Sequence, residues 1–265
     1  MFEYCSIGSG SSGNCHIVRY NETVIIVDCG LSGKRISDGI DSLKIDGKNI
    51  KGIFVTHEHS DHIKGVGIIS RKYNIPIFAN KGTWESMNNK IGDIDNKYKI
   101  VFETDKTYSI GEILIRPFLI PHDSEEAVGY SFYKDGEKMS IATDIGKIDD
   151  NIRKNLFNSK LVVIESNYDH NMLMMGNYPY HLKKRISSLE GHLSNDDCAN
   201  FCVELVKKGT KKLLLAHLSR ENNFPELAYE TTKSILNENN IKINENVSLE
   251  VLPREKISKI YKISD

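Results

Sequence analysis

Short apolar segments rich in β-branched residues recur along the chain, separated by glycine, asparagine and aspartate. Apolar segments of this length between turn-forming residues are typical of β-strands. A glycine- and serine-rich turn over 8–14 connects the first two of them. The pattern predicts strands at residues 3–7, 15–20, 23–27, 52–56, 112–120, 128–133, 138–142, 160–165 and 211–216, with two short strands closing the chain.

Segments with helical spacing of apolar residues lie between these strands. Residues 88–99 are polar and rich in Asn, Lys and Asp, and are predicted to form a surface connection. Strands with interspersed helices indicate a layered α/β (α+β) fold rather than a singly wound parallel sheet. A length of 265 residues fits a single domain spanning 1–265. Helices are predicted at 32–43, with Ser32 near the cap, and at 63–73, 179–189, 195–207 and 225–237.

The overall charge gives no general attraction to polyanions, since 35 basic residues balance 36 acidic ones. Affinity for nucleic acid must therefore come from a local patch or from bound metal. No apolar run approaches the roughly 18–20 residues of a membrane span, and residues 1–13 lack the features of a signal peptide. The five cysteines are odd in number and irregularly spaced, which favours a reducing cytoplasm. We therefore expect a cytoplasmic protein with no membrane partner.

Three histidines and an aspartate fall within six residues directly after the strand predicted at 52–56. Side chains two apart in an extended segment point the same way, so His57 and His59 can bind one metal ion while Asp61 and His62 continue towards a second. Imidazole and carboxylate ligands suit zinc, manganese or iron. A solvated loop with coincidental histidines is the alternative, and the spacing after an apolar strand argues against it.

One loop cannot fill two coordination spheres, so the hypothesis requires ligands from later in the chain. His122, Asp144 and His217 each stand where an apolar strand stops. Ligands at strand ends sit on a rigid edge of a sheet, where a preorganised site belongs. Each residue alone could be an ordinary surface residue, but their shared context supports a joint site.

The order H-x-H-x-D-H, then His, Asp and His, resembles the metallo-β-lactamase superfamily across nearly the whole chain, as does Val27-Asp28-Cys29-Gly30. The resemblance implies a four-layer αβ/βα sandwich with two divalent metal ions at one edge of the paired sheets. It also implies that Asp28 supports a ligand histidine, although a plain turn residue is an equal alternative. The implied ligands are His57, His59 and His122 for one ion, Asp61, His62 and His217 for the other, and Asp144 between them.

Asp144 resembles the bridging aspartate of phosphodiesterases and glyoxalase II-like thioesterases in this superfamily. A bridging carboxylate holds two cations close together, which suits phosphoryl displacement. Gly191-His192-Leu193-Ser194 resembles the motif with which nucleases of the superfamily place a histidine against the scissile phosphate. His192 would then assist the leaving oxygen; as the alternative, it is a solvent-facing residue at a helix start.

The 72 residues between Asp144 and His217 leave no room for an inserted cap domain, and the 21 between His122 and Asp144 leave none for a flexible arm. The chain instead resembles the compact bacterial WalJ (YycJ)-type family, which is associated with 5′→3′ exodeoxyribonuclease activity and often with manganese. The motifs that carry this resemblance are Glu165-Ser166-Asn167-Tyr168-Asp169, Leu182-Lys183-Lys184-Arg185-Ile186, Ala216-His217-Leu218-Ser219 and Asn222-Asn223.

The leading hypothesis is therefore dinuclear-metal-dependent hydrolysis of DNA from a 5′ end. Metal-activated hydroxide, oriented by Asp61, would attack phosphorus while His192 assists departure. Lys183 and Arg185, on a predicted basic helix, and Asn14, in the first turn, are candidate substrate contacts; a solvated helix face is the alternative for the basic pair. Hydrolysis of a small ester, thioester or cyclic phosphodiester is a second hypothesis. A non-catalytic metal-bound regulatory protein is a third, and the oligomeric state is left open.

Overall fold

A computed structural model describes residues 1–263, so the last two residues of the predicted domain 1–265 lie outside the described residues. Two seven-stranded sheets form the centre of the molecule. The strands are β1 (Phe2–Gly8), β2 (Cys15–Tyr20), β3 (Thr23–Val27), β4 (Ile50–Phe54), β5 (Ile77–Ala79), β6 (Lys99–Val101), β7 (Tyr108–Ile110), β8 (Ile113–Leu119), β9 (Val128–Lys134), β10 (Glu137–Ala142), β11 (Leu161–Glu165), β12 (Lys212–Ala216), β13 (Ser248–Val251) and β14 (Tyr261–Lys262).

Helices cover the outer faces of the two sheets. Among residues 1–263, none is long and apolar enough to cross a membrane. Short 3-10 turns stand at Gly47–Asn49 and Asn96–Tyr98. The helices are α1 (Gly33–Ser42), α2 (Ser60–Ile63), α3 (Val66–Tyr73), α4 (Lys81–Met87), α5 (Asp150–Leu156), α6 (His170–Met175), α7 (Tyr180–Ile186), α8 (Asn195–Lys207) and α9 (Pro225–Glu238).

Each sheet is part antiparallel and part parallel. The first has the order β14-β1-β2-β3-β4-β5-β6 and the second the order β13-β12-β11-β10-β9-β8-β7. Strands β3 to β6 are parallel to one another, as are β10 to β13. Parallel strands present their carboxyl ends at one sheet edge, and loops leaving such an edge are common binding sites.

Alternating side chains divide the hydrophobic core into three parts. On β3, Val24 and Ile26 pack with residues of α1 and α3, whereas Ile25 and Val27 pack between the sheets. On β12, Leu213 and Leu215 likewise join the residues of α8 and α9, and Leu214 lies between the sheets. Because successive strand side chains face opposite sides, strands this apolar are buried on both faces. The result is the predicted four-layer αβ/βα sandwich.

The predicted helix over 63–73 is instead two helices, α2 and α3, which meet at Gly65. The Gly65 amide donates to Cys29 O, and a Cβ there would lie 2.6 Å from Leu31 O, so the chain bends against the strand-end loop. The predicted surface connection at 88–99 also buries Ile91 and Ile94. Sparse apolar residues in a polar segment gave no periodic signal for this packing.

Candidate metal centre

The predicted site residues come together at the edge of the sandwich where strands β3, β4, β10, β11 and β12 end. His57 follows β4, and Asp144 and His217 follow β10 and β12. Asp28, Asp144 and His217 have φ values of 58°, 60° and 55°. This left-handed conformation is uncommon outside glycine, and such backbone strain concentrates at functional sites. The sharp turn at each strand end directs the side chain towards the common edge.

His57, His59 and His122 form the first group of potential ligands, with ligating atoms within 4.8 Å of one another. His59 Nδ1 lies 3.1 Å from His57 Nε2 and 3.3 Å from His122 Nε2. One ring nitrogen has a single proton or a single lone pair, so it cannot satisfy two other nitrogens by hydrogen bonding. A cation between the three nitrogens satisfies all of them.

Asp61, His62 and His217 form the second group within the same limit. Asp61 Oδ2 lies 3.3 Å from His217 Nε2 and 3.5 Å from His62 Nε2. His62 and His217 are almost fully buried, and Asp61 is partly exposed. These three side chains therefore converge on a second point beside the first group.

Asp144 lies between the two groups. Its Oδ2 is 3.2 Å from His62 Nε2, and its Oδ1 is 3.7 Å from His122 Nε2 and 3.4 Å from His217 Nδ1. Oδ2 is buried and, apart from the ion-pair contact with His62 Nε2, has no hydrogen-bond partner among the described residues. An unsatisfied buried carboxylate oxygen is costly unless a cation binds it.

The donor set fits divalent metal ions. Nitrogen ligands about 2.0–2.1 Å from a tetrahedral ion lie roughly 3.3–3.4 Å apart, and the two nitrogen–nitrogen distances of the first group, 3.1 and 3.3 Å, are close to this spacing. Carboxylates and imidazoles without thiolate are the ligands of zinc and manganese in hydrolases. The unsatisfied Asp144 oxygen and the crowded ring nitrogens both support binding of divalent ions here.

The carboxylates dominate the electrostatics of the centre. Burial alone would lower the pKa of His217, but Asp144, Asp61 and Glu165 raise it to about 10. Burial also opposes the charged form of His62, yet Asp144 and Asp28 raise its pKa well above the ordinary value. His57, in contrast, has a lowered pKa, chiefly because of burial. Without metal the second group therefore holds protons that an ion must displace.

Asp28 contacts the loop that carries the predicted ligands His57 and His62. Its Oδ2 accepts from His62 Nδ1 at 2.7 Å, and its Oδ1 accepts from the Thr56 amide at 2.8 Å. The Thr56 hydroxyl donates to Asp28 and lies 3.0 Å from His57 Nδ1. With Nδ1 engaged by the carboxylate, His62 presents Nε2 to the centre. Such outer partners fix the tautomer and orientation of ligand histidines.

Glu165 is a residue whose role sequence reasoning missed. It ends β11, is fully buried, and lies with Asp144, His192 and His217 in a third group of potential ligands. Its Oε1 accepts from His217 Nδ1 at 2.7 Å and from His192 Nδ1 at 2.9 Å. The available signal was a carboxylate at the end of the apolar segment Leu-Val-Val-Ile, the same context that identified Asp144.

His192 stands beside the centre with 17% of its side chain exposed. Burial would lower its pKa, but the Glu165 carboxylate outweighs burial and raises it. Because Nδ1 donates to Glu165, the second proton of the imidazolium is carried on Nε2. His192 also lines an open cavity of about 360 Å³, together with Tyr168 and Leu189. His192 can therefore be reached by a solute in this cavity, and Glu165 stabilises its positively charged form.

Asn14, a candidate substrate contact, is fully buried. Its backbone amide donates to Asp61 O at 2.9 Å. Its side-chain Oδ1 accepts from the Gly10 backbone amide, and its Nδ2 lies 3.2 Å from His62 Nε2. Asn14 therefore links the first turn to the loop that carries Asp61 and His62.

The basic helix α7 lies next to the centre. His192 N donates to the carbonyl of Ile186, the last residue of α7. Arg185 is 51% exposed and forms a bidentate ion pair with Asp123, whose Oδ1 is 3.5 Å from His122 Nε2. Lys183 donates to Met174 O at 2.7 Å and pairs with no carboxylate among the described residues. Of the two candidate DNA contacts, Arg185 is therefore paired with Asp123, next to the candidate ligand His122. The charge of Lys183 is more available to a phosphate.

The fold and the centre together define a class of protein. The family model of the metallo-beta-lactamase superfamily matches residues 8–217, and the chain belongs to that superfamily. Residues 8–217 include every residue of the three ligand groups described above. A solved metallo-beta-lactamase fold protein, YhfI from Bacillus subtilis, has a TM-score of 0.74 at 15% identity and covers 98% of this chain and 100% of its own. This likeness supports the fold.

Among individual proteins, the chain is similar to two exodeoxyribonucleases over most of its length. It is 38% identical to exodeoxyribonuclease YycJ of Bacillus anthracis over 239 residues, which covers 90% of each chain. It is 40% identical to exodeoxyribonuclease WalJ of Streptococcus pneumoniae serotype 2 over 232 residues, which covers 87% of this chain and 86% of the relative. The predicted resemblance to the WalJ (YycJ)-type family is confirmed.

Proposed function

We propose that this protein is a 5′→3′ exodeoxyribonuclease that uses two divalent metal ions. The observation that carries the proposal is the position of Asp144 between two groups of imidazole and carboxylate ligands, with His192 beside them. Similarity to two exodeoxyribonucleases at 38–40% identity supports DNA as the substrate. Five buried cysteines without a disulfide are compatible with a reducing cytoplasm.

His57, His59 and His122 would hold one ion, Asp61, His62 and His217 the other, and Asp144 would contribute to both. Zinc or manganese fits this set of ligands. When bound, such a pair of ions supplies an activated water nucleophile and neutralises charge on the phosphate.

The chain's own residues would position the reaction and handle its protons. Asp61, the most exposed of the second group, would orient the attacking water. Hydrolysis breaks the bond between phosphorus and the 3′ oxygen of the terminal nucleotide, so the phosphate stays on the shortened strand. The imidazolium of His192 would donate its proton to that leaving oxygen, and Glu165 would hold the imidazole in place.

DNA contact outside the centre would come from α7, where Lys183 and Arg185 lie. In a chain with net charge −1, a local basic element is needed to attract the phosphate backbone. The bidentate pair of Arg185 with Asp123 places its guanidinium close to His122. Asn14 would act indirectly, by supporting the loop that carries Asp61.

The direct test is degradation of 5′-labelled and 3′-labelled duplex and single-stranded DNA by the metal-loaded protein. We expect mononucleotide release from the 5′ label first, and loss of activity on chelation. His192→Ala should lower kcat by about 10²–10⁴-fold, the usual contribution of a general acid, with unchanged metal content.

Lys90→Ala, an exposed lysine in the loop after α4, is the matched control and should retain full activity. No cleavage with zinc, manganese or magnesium, together with turnover of a small ester, would contradict the proposal.

A further inference from the structure

The segment from Met174 to Glu190, here called the arm, exposes an unusual amount of apolar surface. Met175 is 86% exposed, Tyr180 80% and Leu189 67%. Within the described residues 180–186, which form α7, none is buried. A single exposed apolar residue needs no explanation, but a cluster marks an interaction surface.

The arm is anchored to the metal centre. The His192 amide donates to Ile186 O, and Arg185 pairs with Asp123 beside the ligand His122. Leu189 lines the cavity of about 360 Å³ that contains His192. From Tyr180 to Ile186 the helix rises about 9 Å, a distance of roughly three bases stacked at 3.4 Å. A strand leaving the His192 cavity would therefore reach Tyr180 within a few nucleotides.

The positive charge of the arm indicates that its partner is a polyanion. Residues 174–190 carry three basic side chains and one acidic one in a chain with net charge −1. The cavity beside His122 is lined by carboxylates, among them Asp105, Glu125 and Glu126. The DNA backbone is therefore repelled by these carboxylates and attracted to Lys183 and Lys184 of the arm.

Exposed aromatic and basic side chains together are the features that bind single-stranded nucleic acid. Tyr180 and Phe224 are the two aromatic side chains among the exposed large hydrophobics of residues 1–263. The loop that leads to Phe224 lies beside the start of the arm: Asn222 O accepts from Asp169 N just before α6, and Asn222 Oδ1 would lie 3.1 Å from a Cβ on Gly176. Stacking on an aromatic ring accepts every base, which suits an enzyme that degrades DNA progressively.

We propose that the arm is a platform for unpaired DNA, on which Tyr180 stacks a base a few nucleotides from the scissile bond while Lys183 and Lys184 contact the backbone. This platform rests on the proposed exonuclease function and names how that site holds its substrate. It predicts that the strand end is read in unpaired form and without preference for base identity.

The test uses the full metal-loaded chain and DNA carrying 2-aminopurine near the 5′ end, in a His192→Ala background that slows cleavage. Stacking on Tyr180 should quench the fluorophore. Tyr180→Ala should remove the quenching and weaken binding by about tenfold, the usual effect of losing one stacked base, whereas Tyr180→Phe should retain both. In the otherwise native enzyme, Tyr180→Ala should raise KM for DNA far more than it lowers kcat.

Leu114→Ala, an exposed leucine on β8, is the matched control and should change neither quenching nor affinity.

If the enzyme degrades DNA from the 5′ end but Tyr180→Ala binds and quenches like its parent, the platform is wrong and the proposed exonuclease function is retained. If no metal supports cleavage but binding still depends on Tyr180, the exonuclease is wrong and the platform stands. If Tyr180→Ala instead converts a dimer into a monomer at unchanged DNA affinity, the arm is an interface between copies and the platform is overturned.

Discussion

The carboxylate of Glu165 accepts five hydrogen bonds, three from backbone amides and two from histidines. It therefore links the loop of Asp144, the candidate ligand His217 and the candidate acid His192. Burial would raise its pKa, but His192 and His217 lower it to about 2. Glu165 is thus ionised throughout the neutral range and keeps both histidines oriented.

We predict that Glu165→Gln lowers kcat and metal affinity by about 10–100-fold, the usual effect of losing an outer partner of a ligand. Its amide cannot accept from all five donors, and the loss of charge removes the raised pKa of His192. The activity deficit should therefore grow as pH rises, because the variant loses its proton on His192 at lower pH. A pH profile of kcat measures this.

Glu238→Gln, an exposed glutamate at the end of α9, is the control and should follow the native pH profile. A Glu165→Gln deficit that is constant with pH would indicate a structural role alone and would contradict the link to His192.

At the level of elements, the loop after β4 that carries Asp61 and His62 packs closely against the loop after β3. A Cβ on Gly30 would lie 1.5 Å from Asp61 O and 2.8 Å from Asn14 N. The Cys29 amide also donates to His62 O at 2.8 Å. The three segments therefore pack backbone against backbone, which only glycine allows at position 30.

Gly30→Ala should therefore displace the loop that carries Asp61 and His62. We expect the free energy of unfolding to fall by about 1–3 kcal/mol, as for overpacking of a tight interior, and metal affinity to fall with it. Chemical denaturation of the metal-free protein and metal titration measure the two effects.

Gly82→Ala in α4 is the matched control, since the nearest atoms to its Cβ are side-chain atoms of Glu126 and Glu125 at 3.0 Å or more. If Gly30→Ala binds metal and unfolds like the native protein, the close-packed loop is not what positions these ligands.

Local elements were predictable where the chain repeats a simple pattern. Strands β2 and β3 and the cap of α1 by Ser32 agree with the prediction because β-branched runs and a capping serine act within a few residues. The break between α2 and α3 was not predictable, since it depends on a carbonyl of Cys29, far away in sequence. Glu165 stands at a strand end as Asp144 does, but its contacts with His192 and His217 could not be predicted, since these partners lie 27 and 52 residues away.

For the whole molecule, the sandwich explains why ligands so far apart in sequence meet. Two sheets end at one edge, and the first contributes the loop of His57 while the second contributes Asp144 and His217. The placement of this edge was implied by the resemblance to a family, and the structure gives the distances between its side chains. The arm and its exposed Tyr180 could not be predicted, because exposure depends on the packing of the complete fold.

The most direct test of the account is the number of divalent ions that the protein binds, measured by metal analysis and by calorimetric titration of the metal-free chain. We predict two ions per chain, and loss of at least one in Asp144→Ala. Because the raised pKa values of His62 and His217 keep protons on them at neutral pH, binding should release protons and tighten as pH rises. Binding of at most one ion, or two ions held equally well by Asp144→Ala, would contradict the shared dinuclear centre.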